Sequence, residues 1–171
     1  NLYNCANNTT CAPLEIICVL PAPPITNDDP CGAVPLSVNS NCAMATYTNG
    51  GAGASTGIPA PGCANYVGGD VWFSATVPAS GVLNVETGAG FLTDGGMAVY
   101  TATSCTGPFT LLECDDDDGT GLMPLLNLTG LTAGSTVYIR VWEYGNNNNG
   151  TFNICTWSPI PPSGDCIYSL S

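Results

Sequence analysis

The sequence predicts an all-β fold, a jelly-roll-like β-sandwich of about eight strands with extended N-terminal and C-terminal arms. Short apolar and β-branched runs recur along the chain, and clusters of Gly, Pro, Asn and Thr separate them. No segment carries a helical period with capping residues, so helices are not expected. The predicted strands are residues 33–38, 44–48, 70–77, 82–87, 97–101, 109–114, 125–129, 136–144 and 151–157.

The clearest strand is the run 137–142, in which aliphatic residues alternate with large polar-tipped ones. The aliphatic face is expected in the core, and Arg140 lies on the other face. The run 71–77 has the same alternation, with Trp72 on its second face. Trp72 and Trp142 are therefore either exposed, where they contact sugars or another protein, or buried in strands that are covered on both sides.

Two proline clusters divide the chain into a domain and two arms. They are PAPP at residues 21–24 and SPIPP at residues 158–162. Residues 25–157 form the predicted sandwich domain, and the chain length fits one domain of ordinary size. The N-terminal arm, residues 1–24, carries an apolar candidate donor strand at 14–20 before its proline-rich linker. Residues 158–171 form a second proline-rich linker and a C-terminal strand.

Ten cysteines, an even number spread along the chain, indicate disulfides formed in an oxidising compartment, and hence a secreted protein. Spacing favours pairs that are local or that join the two ends of the strand-rich region. Cys18 and Cys166 are left for the terminal arms, and a bond between them would lie within or between subunits. The expected pairs are Cys105 with Cys114, Cys42 with Cys63, Cys31 with Cys155, and Cys5 with Cys11.

The charge balance excludes several functions. The chain has a formal charge of -12, its only basic residue is Arg140, and it has no histidine. Nucleic acids and anionic membrane surfaces both require cationic side chains. No stretch approaches the ~20 apolar residues of a membrane span, so membrane insertion is not expected. Ordinary nucleophile–base pairs lack a base, so the chain is not expected to be an enzyme. As the only fixed cation, Arg140 is expected near Glu143 or the Asp115 loop.

The run of four carboxylates, Asp115 to Asp118, is the densest charge in the chain. It is either a solvated acidic loop or a cation site, and oxygen-only ligands suit calcium. In an extended loop, Asp115 and Asp117 point one way and Asp116 and Asp118 point the other. Calcium is therefore the expected cofactor, and no organic cofactor is expected. Further candidate ligands are Asp94 and Glu143.

An ordered set of motifs resembles a known module. The motifs are NDDPCGA (27–33), CANYVGGDVWFSATVPASG (63–81), TDGGMAVYTATSC (93–105), LLECDDDDG (111–119) and GLTAGSTVYIRVWEYGNNNNGTFNIC (130–155). Together they resemble the cysteine-containing β-sandwich modules of the pre-peptidase C-terminal type found on secreted bacterial proteins. The resemblance covers most of the middle domain and neither arm. It implies a jelly-roll-like sandwich, a non-catalytic role and often a bound calcium. Free-standing modules with an apolar N-terminal arm also look like subunits of extracellular filaments from environmental bacteria.

The apolar segment 14–20 needs a sheet for its backbone and side chains. It either folds back as an edge strand of its own domain or adds to the sheet of another subunit. The PAPP linker favours an extended spacer of ~3 Å per residue, which carries the segment away from its own domain. Head-to-tail insertion of this kind produces an open helical homopolymer. The expected subunit contacts are Leu14, Ile16, Ile17, Val19 and Leu20.

These observations predict a structural subunit of an extracellular bacterial filament that polymerises by strand exchange through its N-terminal arm. The alternative is a monomeric secreted module that binds carbohydrate or mediates adhesion through exposed aromatics such as Trp72, Trp142, Tyr144 or Trp157. Sequons make four asparagines candidate glycosylation sites. They are Asn7, Asn8, Asn127 and Asn149.

Overall fold

A computed structural model of the chain describes residues 25–160 in full and, before them, the backbone of residues 3–6 and 10–13. The described residues form strands and one short 3-10 helix, Pro30–Gly32. None of them forms a helix long and apolar enough to cross a membrane. The strands are β1 (Tyr3–Ala6), β2 (Thr10–Pro13), β3 (Val34–Pro35), β4 (Val38–Asn39), β5 (Ala45–Thr48), β6 (Val71–Thr76), β7 (Leu83–Gly88), β8 (Gly95–Ala102), β9 (Phe109–Asp115), β10 (Leu125–Leu128), β11 (Thr136–Glu143) and β12 (Thr151–Trp157).

Ten of these strands form the two five-stranded sheets of a β-sandwich, as predicted. Sheet I has the order β10-β7-β12-β4, and β5 pairs with β12 beside β4. Sheet II has the order β3-β6-β11-β8-β9. Pairing is antiparallel except where β3 joins β6 and β4 joins β12. The remaining strands, β1 and β2, form a separate hairpin.

The strand number exceeds the predicted eight partly because the predicted strand 33–38 divides in two. Its first half, β3, pairs with β6 in sheet II, and Leu36 still donates its backbone N–H to Ser74 O at 2.8 Å. The chain then crosses to sheet I, where β4 pairs with β12. Pro35 has no N–H to donate, which suits a short edge strand better than a central one. One apolar run thus supplies an edge to both sheets.

The core lies between the sheets and uses the predicted alternation. Val71 and Phe73 on β6 face the interior with Ile139 and Val141 on β11, and all four are fully buried. Phe73 meets Phe152 of sheet I edge-on, with ring centroids 6.0 Å apart. Each such side chain contributes about 1.5–3 kcal/mol through burial. The alternating runs therefore supply the inner face of sheet II, as predicted.

The outer face of sheet II is also buried, because the long loop 49–69 covers it. Trp72 and Trp142 are both fully buried, so the second of the two predicted alternatives, a strand covered on both sides, is confirmed. Trp142 donates its indole N–H to Ala64 O in this loop at 2.8 Å. A Cβ at Gly96 would overlap the Trp142 ring, so the loop and the sheet approach each other more closely than a larger residue would allow.

Three disulfides join distant parts of the sandwich. They are Cys31–Cys105, Cys42–Cys155 and Cys63–Cys114. The same six cysteines were expected to pair, but all three predicted pairings, Cys105–Cys114, Cys42–Cys63 and Cys31–Cys155, were wrong.

The geometry of β9 explains why Cys105 does not pair with Cys114. Cys105 lies in the turn before β9 and Cys114 lies near the end of that strand. The five extended residue steps from Phe109 to Cys114 span about 17 Å, and Cys105 lies beyond Phe109 in the turn. The two cysteines are therefore separated by far more than the roughly 4.4–6.8 Å between the Cα atoms of a disulfide. Cys114 instead bonds Cys63 of the covering loop. In the β1–β2 hairpin, Cys5 and Cys11 occupy opposed positions, whereas Cys18 and Cys166 lie outside the described residues.

Candidate functional site

The acidic loop between β9 and β10 is held against the start of β8. Asp94 forms an isolated parallel bridge with Leu122, and Gly95 donates its N–H to Leu122 O at 2.9 Å. This contact brings together Asp94, Asp116 and Asp117, which we call the acidic centre. One carboxylate oxygen from each lies within 4.8 Å of the others. Since Ca²⁺–O distances are about 2.3–2.6 Å, two ligands of one ion lie at most about 5 Å apart.

The other two aspartates of the run have different positions. Asp115 Oδ2 accepts the backbone N–H of Leu125 at 2.8 Å and that of Asp118 at 3.2 Å, so this carboxylate closes the loop. Asp118 is exposed and lies outside the acidic centre. The predicted grouping of Asp115 with Asp117 and of Asp116 with Asp118 was wrong. It assumed an extended chain, but the loop turns immediately after Asp115.

Glu143, the sixth candidate ligand, contributes no oxygen to the acidic centre. It is almost fully buried, and its Oε2 accepts the backbone N–H of Asn147 at 2.6 Å. Its charge nevertheless acts on the centre. Burial, together with the charges of Asp117 and Glu143, raises the pKa of Asp94 above its usual value. The structure thus brings together three of the six predicted ligands.

The acidic centre fits a cation by its chemistry. Asp116 Oδ1 is buried and has no hydrogen-bond partner among the described residues. Burial, followed by the charges of Asp117, Asp94 and Asp115, raises the pKa of Asp116. A divalent cation would satisfy the unpartnered oxygen and offset the repulsion, and carboxylate oxygens suit calcium.

A second close group, formed by Cys42, Glu86 and Cys155, is not a metal site of the same kind. Its two sulfur atoms are bonded to each other in a disulfide. Thiolate ligation requires free deprotonated cysteines. This group therefore lacks the thiolate ligands that would hold a metal.

The single cation of the chain is buried in an ion pair beneath the covering loop. Arg140 Nε donates to Asp70 Oδ2 at 2.9 Å, and neither side chain is more than 1% exposed. Arg140 also donates from Nη2 to the Tyr66 hydroxyl, and its guanidinium lies 4.0 Å from the centroid of the Tyr66 ring. The prediction that Arg140 lies near Glu143 or the Asp115 loop was wrong.

Asp70 is the hub of this cluster. Its carboxylate accepts hydrogen bonds from the hydroxyls of Ser55 at 2.5 Å and Tyr66 at 2.6 Å, and from the Trp72 indole at 3.0 Å. Burial alone would raise the pKa of Asp70. Hydrogen bonds from Ser55, Tyr66 and Arg140, with the Arg140 charge, outweigh burial and hold the pKa below its usual value. Because Ser55 and Tyr66 belong to loop 49–69, their hydrogen bonds to Asp70 attach that loop to sheet II.

The sequence contained one usable signal for this cluster. A single arginine in an otherwise acidic chain must be paired if it is buried. The partner could not be read from spacing, since Asp70 and Arg140 are 70 residues apart and meet only through the register of β6 and β11, which places Arg140 opposite Trp72. The Arg140–Asp70 ion pair is closed to solvent, which suits a structural role for it.

The candidate glycosylation sites differ in accessibility. Asn127 is exposed on the edge strand β10. Asn149 is half-buried, and its side chain bonds both Asn49 and Asn146 at 2.6 Å. Asn127 is therefore the more accessible acceptor of the two. Asn7 and Asn8 lie outside the described residues.

The predicted subunit contacts in the segment 14–20 also lie outside the described residues. Among the described residues, β5 and β3 at one flank of the sandwich each pair with a single strand, and so do β9 and β10 at the other. We call the flank with β5 and β3 the open flank. At the opposite flank, β9 and β10 are consecutive in the chain and contact each other. The two flanks therefore differ in how well they are closed.

The two sheets and their shared core define a disulfide-bonded β-sandwich. No protein-family model matches the chain, and no curated protein matches it. Among solved structures, the chain is similar to the pre-peptidase C-terminal domain of a collagenase from Bacillus anthracis, known from a 1.0 Å crystal structure. The sequences are 9% identical with a TM-score of 0.44, and the match covers 72% of this chain and 93% of that chain. The fold assignment rests on the sheets themselves.

Proposed function

We propose that this chain is a secreted, non-catalytic structural subunit that polymerises into an extracellular fibre by strand exchange through its N-terminal arm. The observation that carries the proposal is the open flank. β5 has four residues and β3 has two, and each leaves one side without a partner among the described residues. An unpaired sheet edge is a template for an added strand.

The arm supplies a strand of matching character. Residues 14–20 read LEIICVL, and proline residues precede and follow this run. Each copy would then carry one donor segment and one open flank. Head-to-tail pairing between different surfaces produces an open polymer unless it closes into a ring.

The chemistry of the chain supports a structural rather than catalytic role. The sequence contains neither histidine nor lysine, and its only arginine is buried against Asp70. The usual activating base for a serine or cysteine nucleophile is therefore missing. The three disulfides support an oxidising, extracellular location, where such bonds persist.

Calcium at the acidic centre is part of the proposal. It would neutralise part of a formal charge of -12, which otherwise opposes the close packing of subunits. It would also join the loop after β9 to the start of β8, and so stabilise each subunit.

The experiment compares the unmodified chain with an Ile16→Asp, Ile17→Asp variant by negative-stain electron microscopy and sedimentation. We expect fibres from the former and monomers from the latter, because two charges in the arm segment oppose its burial in a sheet. Val67→Asp, at a position 59% exposed in the covering loop, is the control and should leave fibres unchanged. Fibres of normal length from the arm variant would refute strand exchange through this arm.

A further inference from the structure

We propose that three adjoining depressions along the open flank, together called the flank groove, are the acceptor for residues 14–20 of a second copy of this chain. This inference rests on the proposed function and specifies its contact surface. The flank groove consists of three adjoining depressions of about 370, 190 and 560 Å³. The first two share Tyr47, and the second and third share Asn39. The groove therefore runs from Ile25 at one end to Ile160 at the other.

The length of the groove suits the segment. It follows β12 and the residues after it, from Thr151 to Ile160. Nine extended steps span at most about 30 Å, and the seven residues 14–20 span about 20 Å as a strand. The segment fits within the groove, with room at one end for part of the linker.

The floor of the groove exposes the edge of the core. Leu36 and Tyr47 pack against the core cluster and, with Ala45 and buried Ile154, line the middle depression. A space of about 150 Å³ holds a benzene-sized group, so the middle depression has room for a branched aliphatic side chain. An extended segment presents Leu14, Ile16 and Leu20 on one side, which would cover these apolar surfaces.

The charge of the groove also fits this occupant. None of the described residues lining the three depressions is charged, although the chain carries 13 carboxylates. The segment itself has one charge, Glu15, next to its first residue. Most of the surface of this protein would repel an acidic partner because both are negatively charged. The uncharged flank groove would accept an apolar strand without that repulsion.

The linker favours insertion into another copy. The arm joins the sandwich at Ile25, which itself lines one end of the groove. The sequence PAPP favours an extended spacer of about 12 Å, which would carry Leu20 away from Ile25 rather than through a tight return into the groove of the same copy. Each copy then fills the groove of the next, so the contact propagates.

The test blocks the groove while leaving the arm intact. Ala45→Trp places an indole in the middle depression, and Thr110→Trp on the edge strand β9 of the other flank is the size-matched control. We expect loss of fibres from the first variant and normal fibres from the second. Ala45→Leu is the milder variant if the tryptophan variant does not fold.

Mixing two assembly-deficient variants gives the decisive readout. The Ala45→Trp variant keeps its arm, and the Ile16→Asp, Ile17→Asp variant keeps its groove. Together they should form a 1:1 dimer on size exclusion, and neither should dimerise alone. If the mixture stays monomeric, or if Ala45→Trp alone forms fibres while the arm variant does not, the groove assignment is wrong and strand exchange uses another edge. If both variants form fibres alone, the proposed function itself fails.

Discussion

Replacing Arg140 with methionine removes the guanidinium and leaves a long apolar side chain in its place. Asp70 then stays fully buried without a counter-charge, although Ser55, Tyr66 and Trp72 still donate to it. Removing one partner of a buried ion pair costs about 3–5 kcal/mol. Native domains are stable by about 5–15 kcal/mol, so we expect a large part of the stability to be lost.

The assay is urea unfolding of the disulfide-intact protein, followed by tryptophan fluorescence. Trp72 is a suitable probe because its indole donates directly to Asp70. In a domain of this size, each kcal/mol lowers the melting temperature by about 2–4 °C, so a decrease of about 6–20 °C accompanies the change in urea midpoint.

A double-mutant cycle with Asp70→Asn separates the ion pair from simple loss of packing. Asp70→Asn alone leaves the buried Arg140 without a counter-charge and is expected to lower the free energy of unfolding by a similar amount. The double variant has no unpaired charge, so its loss should fall short of the sum of the single losses by about 2–3 kcal/mol. Single losses under about 1 kcal/mol, or losses that add within about 0.5 kcal/mol, would refute the assignment of Arg140 as a charge that depends on Asp70.

Three further predictions concern the acidic centre, the stability of the protein in acid and the buried side chain of Asn49. Calcium at 100 times its dissociation constant should stabilise the protein by about 2.7 kcal/mol, or about 5–10 °C in melting temperature. Asp116→Asn should abolish this shift and Asp118→Asn should keep it; an unchanged shift in Asp116→Asn would remove that residue from the site. Because the folded-state pKa of Asp70 lies below the usual 3.8, its stabilisation is present above pH 3.8 and is lost as the pH falls through the folded value. The difference in unfolding free energy between the native chain and Asp70→Asn should therefore be constant from pH 7 to about pH 4 and narrow below it; a constant difference down to pH 2 would contradict the lowered pKa. Asn49 is fully buried and bonds Gly69, Asn149 and Gly150, so Asn49→Ala should cost about 1–3 kcal/mol in urea unfolding, whereas exposed Asn127→Ala should cost less than about 0.5 kcal/mol. Equal effects of the two would contradict this role.

The strands were largely predictable from the sequence. The predicted strands 70–77, 82–87, 136–144 and 151–157 each match an observed strand to within about two residues at either end, which is the usual uncertainty of such boundaries. Alternation of side chains has a period of two in any extended strand, so the pattern identifies the strand before its partners are known. The division of 33–38 was not predictable, because the change of sheet after Pro35 depends on where β6 and β12 lie.

The members of the sites were less predictable than the strands. The run Asp115 to Asp118 identified the acidic loop, but its turn decided that Asp116 and Asp117 join Asp94 while Asp115 closes the loop. Spacing along the chain describes only local geometry. It does not describe a loop that folds back through backbone hydrogen bonds.

The sequence by itself determined the class of fold and the absence of histidine-based or lysine-based chemistry, and it indicated that cysteines form disulfides, since these follow from periodicity and composition. The tertiary structure decided the disulfide pairs, the partner of Arg140 and the open flank, because each depends on which strands become neighbours. Cys63 reaches Cys114 only after loop 49–69 covers sheet II, and the same covering buries Arg140 with Asp70. Strand neighbours are chosen by burying one apolar face against another, and this choice brings together residues 51 and 70 positions apart.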